Sequence, residues 1–208
     1  MRTSKTIGDR KLMTLNNPDS TLKDLILVEQ LIPQNLCDYI IDDIEKREWG
    51  KHTWYNSVQG TFGSEETKEL EVQNTTDELQ NLLTPFIIQM GGIYNQKVLF
   101  EGGGDRTSQI MNKFSKVRFN RYEPGMIMRC HMDHIRSLWG TGDAGIPVLS
   151  MIICLNDNYE GGELVFWDDY KVKPAAGSII AWPSLFLYPH RVEETTKNIR
   201  YSGVVWCW

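Results

Sequence analysis

Apolar positions change their spacing about halfway along the chain. Leu25 to Val28 and Leu31-Ile32 form a short apolar run that stops at Pro33, the pattern of a strand ending at a residue without an N–H. Leu36, Ile40, Ile41 and Ile44 then recur with helical spacing. A second helical stripe carries Leu79, Leu82, Leu83, Phe86, Ile87 and Met90. Thr75 and Glu78 are spaced as a capping box at its start, and Gly91-Gly92 is expected to stop it. Pro85 lies inside this stripe and predicts a kink or a split into two short helices.

From about Lys116 the period shortens. Val117 to Tyr122, Met126 to Asp133, Val148 to Leu155, Glu163 to Trp167, Ser178 to Trp182, His190 to Val192 and Asn198 to Trp208 read as strands, separated by Gly, Pro, Asn and Asp turns. Seven or eight short strands suit a two-sheet jelly roll. The expected fold is α+β and mainly β, a double-stranded β-helix (jelly-roll, cupin-like) core with N-terminal supporting helices. Residues 1–22 are expected to be a polar tail and 23–208 a single domain, with 23–115 its helical support and 116–208 its catalytic core.

Composition narrows the function. A net charge of −5, with 22 basic against 27 acidic residues, argues against a nucleic-acid partner, which would need clustered cations to displace counterions. No apolar stretch approaches the roughly 20 residues of a membrane span, and Met1 to Lys5 lead into polar sequence, so a cytoplasmic protein is expected. Cys37, Cys130, Cys154 and Cys207 are scattered without a CxxC pair and read as reduced, packed thiols. Gly102-Gly103-Gly104-Asp105 lacks the Lys-Ser/Thr of a phosphate loop and reads as a plain loop.

The candidate chemistry centres on His131-Met132-Asp133. On a strand, residues i and i+2 share a face, so His131 and Asp133 project together. His190 lies 57 residues beyond Asp133 and must return from another strand. Two imidazoles and one carboxylate on one side of a metal form the facial set that suits non-haem Fe(II) and leaves positions open. The same ligand types also serve Zn²⁺ in hydrolases. A jelly roll that merely binds a metal is the other alternative.

Arg121-Tyr122-Glu123-Pro124-Gly125, His131-Met132-Asp133, Leu149-Ser150 through Leu155-Asn156, Gly161-Gly162-Glu163-Leu164, Pro174-Ala175-Ala176-Gly177, Pro189-His190-Arg191-Val192 and Arg200-Tyr201-Ser202 stand in this order along the chain. In that order and spacing the C-terminal half resembles the iron(II)- and 2-oxoglutarate-dependent oxygenases, within them the prolyl 4-hydroxylase group. The resemblance implies Fe(II) held by His131, Asp133 and His190, with 2-oxoglutarate and O₂ as cosubstrates and ascorbate as a candidate reductant. It implies that Arg200 grips the far carboxylate of 2-oxoglutarate, with Ser202 and Tyr122 adding hydrogen bonds. A planar guanidinium suits that task because its N–H donors fit a carboxylate bidentately. Collagen-type relatives place lysine where this chain has Arg200, which weakens the substrate analogy but not the cosubstrate one. The implied reaction hydroxylates a C–H bond and releases succinate and CO₂. Its implied substrate is a prolyl residue of a peptide or protein, with a small molecule or another amino acid as the alternative; the oligomeric state is left open.

Other residues are set aside on parity. Cys130 and His134 alternate away from His131 and Asp133, His134 rejoining only if the strand has already ended. His52 is expected to be exposed, and Arg191 to point away from His190. Arg129 shares parity with His131 and has a site-facing and a rim-facing reading. Trp182, Trp206 and Trp208 are expected in the core or barrel wall, Trp206 sharing a face with Arg200. Asp168 and Asp169 read as turn residues. Trp49, Trp54 and Tyr55 are available for an aromatic wall, and the segments Trp49–Gly63 and Ser137–Gly145 are candidate lids.

Overall fold

The computed structural model describes residues 21–56, 60–62, 68–99, 111–134 and 146–208. The Gly102–Asp105 loop, the Ser137–Gly145 segment, parts of the Trp49–Gly63 segment and nearly all of the N-terminal tail lie outside the described residues. A 3-10 turn at Leu22–Leu25 leads to β1 (Leu27–Gln30), α1 (Gln34–Ile44), β2 (Gly50–Lys51), β3 (Trp54–Asn56), β4 (Gly60–Phe62), β5 (Glu71–Asn74) and α2 (Asp77–Tyr94), which runs on into a π-helical turn at Asn95–Leu99. Strands follow: β6 (Arg118–Tyr122), β7 (Met128–His131), β8 (Leu149–Cys154), β9 (Glu160–Gly161), β10 (Leu164–Phe166) and β11 (Tyr170–Val172). The last are β12 (Ser178–Pro183), β13 (His190–Val192), β14 (Thr195–Lys197) and β15 (Arg200–Cys207).

Seven strands form a major antiparallel sheet in the order β1-β12-β8-β15-β6-β5-β2, and four form a minor sheet, β11-β10-β13-β7. This is the jelly-roll architecture the strand pattern predicts. The major sheet is buried on both faces, which explains why β8 is buried at all six positions. Its odd-numbered residues Leu149, Met151 and Ile153 join Cys37, Ile40 and Ile44 of α1 and Leu79, Leu83, Ile87 and Met90 of α2 in one core. Its even-numbered Ile152 and Cys154 join Met128, Leu164, Phe166 and Val192 of the minor sheet in a second core. The same alternation along β15 sends Tyr201, Val205 and Cys207 toward the helices and leaves Arg200, Ser202, Val204 and Trp206 facing the space between the sheets.

α2 differs from its sequence pattern at three points. It passes through Pro85 unbroken, because the apolar stripe Leu79, Leu83, Ile87, Met90 and Tyr94 is fully packed and outweighs one lost backbone bond. The N-cap is Thr76, whose hydroxyl accepts from the Leu79 N–H at 3.2 Å; Thr75 is one residue too early, its N–H engaged by the Val117 carbonyl. Gly91 and Gly92 are helical rather than terminal, and a Cβ on Gly91 would meet the Met111 side chain at 2.7 Å.

Candidate active site

β7 and β13 are paired in the minor sheet with His131 directly opposite His190. Their rings lie 4.2 Å apart between centroids. β7 ends at His131, so Asp133 reaches the site from the turn beyond the strand rather than along its face. The ligand atoms of His131, Asp133 and His190 nevertheless converge, all within 4.8 Å of one another, and Asp133 and His190 are buried. Among the described residues this is the one His/Cys/Asp/Glu group able to hold a metal.

Both imidazoles are oriented for ligation. His131 Nδ1 sits 2.8 Å from the Arg129 carbonyl and His190 Nδ1 3.0 Å from the Tyr188 carbonyl. A carbonyl only accepts, so each Nδ1 donates and each Nε2 keeps a free lone pair toward Asp133. The Nε2 to carboxylate distances are 3.8 Å and 3.9 Å, too long for hydrogen bonds. Burial lowers the His131 pKa to about 4, His190 adding to the effect and Asp133 opposing it, so the ring is neutral and ligand-ready at pH 7. Burial disfavours the Asp133 anion, but His190, His131, Ser150 and Trp206 together hold its carboxyl below the ordinary value. Phe166 and Trp182 wall His190 at 5.7 Å and 5.0 Å between ring centroids, and Trp54 stands edge-on to His131 at 5.5 Å.

Arg200 is fully buried on the facing sheet, opposite Tyr122 in the β6–β15 register. Its guanidinium stacks over the Tyr122 ring at 4.7 Å, lies 5.9 Å from the centre of the Tyr159 ring and donates to Ser202 Oγ at 3.1 Å. Among the described residues no carboxylate pairs with it, and its Nε is buried without a partner. A buried cation left without an anion is costly unless a ligand supplies the charge. Gly162, at φ +65°, lets the backbone pass Arg200: a Cβ there would stand 3.0 Å from Arg200 Cδ.

These features have counterparts in known proteins. Residues 117–208 match the family model of the 2OG-Fe(II) oxygenase superfamily. A PKHD-type hydroxylase of Thermosynechococcus vestitus is 43% identical over 170 residues, covering 64% of this chain and 73% of that protein. The chain belongs to the PKHD-type hydroxylases of the 2OG-Fe(II) oxygenase superfamily. It spans less of another relative, the PKHD-type hydroxylase of Methylobacterium nodulans, which is 40% identical over 42% of this chain and 40% of its own length. A Pseudomonas putida prolyl-4-hydroxylase shares the fold, with a TM-score of 0.64 at 19% identity over 88% of this chain and 92% of that one. So does a Trichoplax adhaerens prolyl hydroxylase solved with a hypoxia-inducible-factor peptide, with a TM-score of 0.64 at 12% identity over 89% and 84% of the two chains. This oxygenase therefore performs hydroxylation dependent on Fe(II), 2-oxoglutarate and O₂, the cofactor and cosubstrates its family implies.

Several sequence expectations change in this setting. His52 is buried, not exposed, edge-on to Trp54 at 4.9 Å, with its backbone N–H held by the Leu70 carbonyl at 3.1 Å. Cys130 is exposed while the other three thiols are buried. Although β7 ends before His134, that residue turns to Phe186 rather than to the cluster. Arg129 pairs with Glu69 at 2.5 Å and stacks over Trp54 at 5.1 Å, and Arg191 points away to the Trp167 carbonyl. Trp54 reaches the site, whereas Trp49 packs against Tyr201 on the other side of the major sheet. Ser150, Tyr159 and the influence of Trp206 on Asp133 were missed. Ser150 had a signal, as the one polar inward residue of an otherwise apolar strand.

Proposed function

We propose that His131, Asp133 and His190 hold Fe(II), that Arg200 with Ser202, Tyr122 and Tyr159 holds the far carboxylate of 2-oxoglutarate, and that the enzyme hydroxylates a prolyl residue of a peptide or protein. The reading is carried by one observation: Arg200 is buried, cationic and without an acidic partner, on the sheet that faces the His131–His190 pair. A zinc hydrolase or a passive metal site would leave that cation uncompensated. When bound, Fe(II) with 2-oxoglutarate and O₂ supplies the oxidising chemistry, and succinate and CO₂ leave.

The chain's own residues bind, orient and exclude water. The Nδ1 donors fix the two rings, Ser150 and Trp206 hold Asp133 ionised, and Phe166, Trp182 and Trp54 keep the ligand face dry. Tyr122, its hydroxyl pKa raised by burial, stays neutral and able to hydrogen-bond the cosubstrate. Prolyl specificity is supported by the prolyl hydroxylases that share the fold. Ascorbate serves as the reductant for iron in this reading. Residues 23–208 act as one unit, and a reducing cytoplasm suits four unpaired cysteines. Among the described residues, no helix is long and apolar enough to cross a membrane.

Anaerobic addition of Fe(II) and 2-oxoglutarate should produce a weak visible metal-to-ligand absorption that His131→Ala abolishes. Under O₂, mass spectrometry of a proline-containing peptide library should show +16 Da on proline. No band and no succinate would overturn the site assignment, while +16 Da on other residues would overturn only the prolyl substrate.

A further inference from the structure

A second arginine faces the same interior, and the cosubstrate assignment does not use it. Inward positions on β6 are Arg118, Asn120 and Tyr122; Phe119 and Arg121 turn toward the helices. The Arg118 guanidinium lies 5.1 Å from the centre of the Trp206 ring, and Trp206 in turn helps hold the Asp133 carboxyl below its ordinary value. Arg118 therefore sits beside the ligand cluster, at the Trp206 end of the interior.

The one carboxylate whose charge reaches it is Asp133, which belongs to the metal-ligand group. Glu69 is taken by Arg129, and Glu45, Glu71 and Glu123 by Arg121. Among the described residues Arg118 makes no ion pair or side-chain hydrogen bond, and its Nε is buried and unpartnered. An arginine kept only for packing would hand its donors to backbone carbonyls, as Arg191 does with Trp167 and Asp168.

The two interior arginines cannot share one molecule of cosubstrate. In the β6–β15 register Arg200 pairs with Tyr122 and Val204 with Arg118, a separation of four residues, or about 13 Å along the strand. Arg118 then leans to Trp206, two residues farther still from Arg200. A five-carbon dicarboxylate does not bridge that span. One cation is left over for the second reactant.

We propose that Arg118 is the receptor for a carboxylate on the primary substrate, so that the favoured substrate carries a carboxylate close to the carbon that is hydroxylated, as in a C-terminal prolyl residue or a proline beside an acidic one. This rests on the oxygenase reading of the site and adds a substrate class to it. Planar guanidinium recognition at a stacked, half-buried position favours carboxylate over the isosteric amide.

The test is calorimetric titration of the Mn(II)·2-oxoglutarate-loaded protein with N-acetyl-L-proline and with N-acetyl-L-prolinamide. The acid should bind at least about tenfold more tightly than the amide. Arg118→Gln should erase that preference and Arg118→Lys should keep part of it, while both retain the anaerobic Fe(II)·2-oxoglutarate absorption as proof of a folded, loaded site. No preference in the unsubstituted protein, or an equal preference in Arg118→Gln, overturns the proposal. So does a weaker 2-oxoglutarate affinity in Arg118→Gln, which would assign Arg118 to the cosubstrate. Loss of the absorption band in the unsubstituted protein would instead sink the oxygenase reading itself, so the two failures are separable.

Discussion

Ser150 Oγ lies 2.6 Å from Asp133 Oδ2 and 2.6 Å from Ser184 Oγ. An ionised carboxylate only accepts, so the single Ser150 proton goes to Asp133, and Ser184 must donate to Ser150. Two buried hydroxyls thus aim one carboxylate into the ligand cluster. Ser150→Ala removes that donor and strands the Ser184 hydroxyl. Outer hydrogen bonds of this kind carry about 10- to 100-fold in metal affinity. Mn(II) titration of the variant should show a loss in that range, and unchanged affinity would mean that Asp133 is held by Trp206 alone.

Arg200→Gln should weaken 2-oxoglutarate binding by about 10- to 100-fold, the scale of one or two charge-assisted hydrogen bonds. Arg200→Lys keeps the charge without the fork and should fall between. The ligand-free protein should melt no earlier in Arg200→Gln than in the unsubstituted chain, because the substitution removes a buried cation that has no acidic partner. What should disappear is the rise in melting temperature on adding 2-oxoglutarate. A variant that melts early but keeps that rise would make Arg200 structural.

The site was legible where it depended on alternation and obscure where it depended on packing. Arg200, Ser202 and Trp206 share a face because β15 is regular along its eight residues. His131 and His190 come together because β7 and β13 pair at those two residues, and no local signal in either strand specifies that register. Asp133 reaches the cluster although its strand has ended, so the i and i+2 rule gave the right neighbour through the wrong geometry. Pro85 misled because a local helix rule is worth about 3 kcal/mol and the buried stripe of α2 outweighs it, and Thr75 because Thr76 beside it offers the same hydroxyl one residue nearer the first turn. Trp54 was legible as part of an aromatic wall, whereas nothing local marked its neighbour His52 as buried against it.

Gly162 and Gly177 separate clamp from scaffold. Both have positive φ, 65° and 79°, so alanine costs each about 1–2 kcal/mol in backbone strain alone. A Cβ on Gly177 would stand 2.1 Å from the Ile32 carbonyl, at the junction of β1 and α1; one on Gly162 would press Arg200 Cδ and Thr195 Oγ1 at 3.0 Å. Gly177→Ala should therefore be the more destabilising in urea yet keep its 2-oxoglutarate affinity per folded molecule. Gly162→Ala should lose affinity for the cosubstrate with the smaller loss of stability. Equal cosubstrate affinities in the two would detach Gly162 from the clamp.

His52 makes the fold acid-sensitive in a way separable from metal binding. Burial lowers its pKa from 6.5 to about 3, with the positive charges of Arg118 and Arg129, and of His131 once protonated, adding to the effect. The native ring therefore stays neutral over a range in which the unfolded chain takes up a proton. The unfolded state binds more protons between about pH 6.5 and pH 3, so stability falls as pH falls through that window and is fully present above it. The slope contributed by one such group approaches about 1.4 kcal/mol per pH unit. His52→Phe preserves the edge contact with Trp54 and removes the titration. In metal-free protein, urea unfolding at pH 7 and pH 5 should show the unsubstituted chain losing about 1–2 kcal/mol more than His52→Phe between the two values. Equal losses would mean that His52 takes up its proton in the folded state as readily as in the unfolded one.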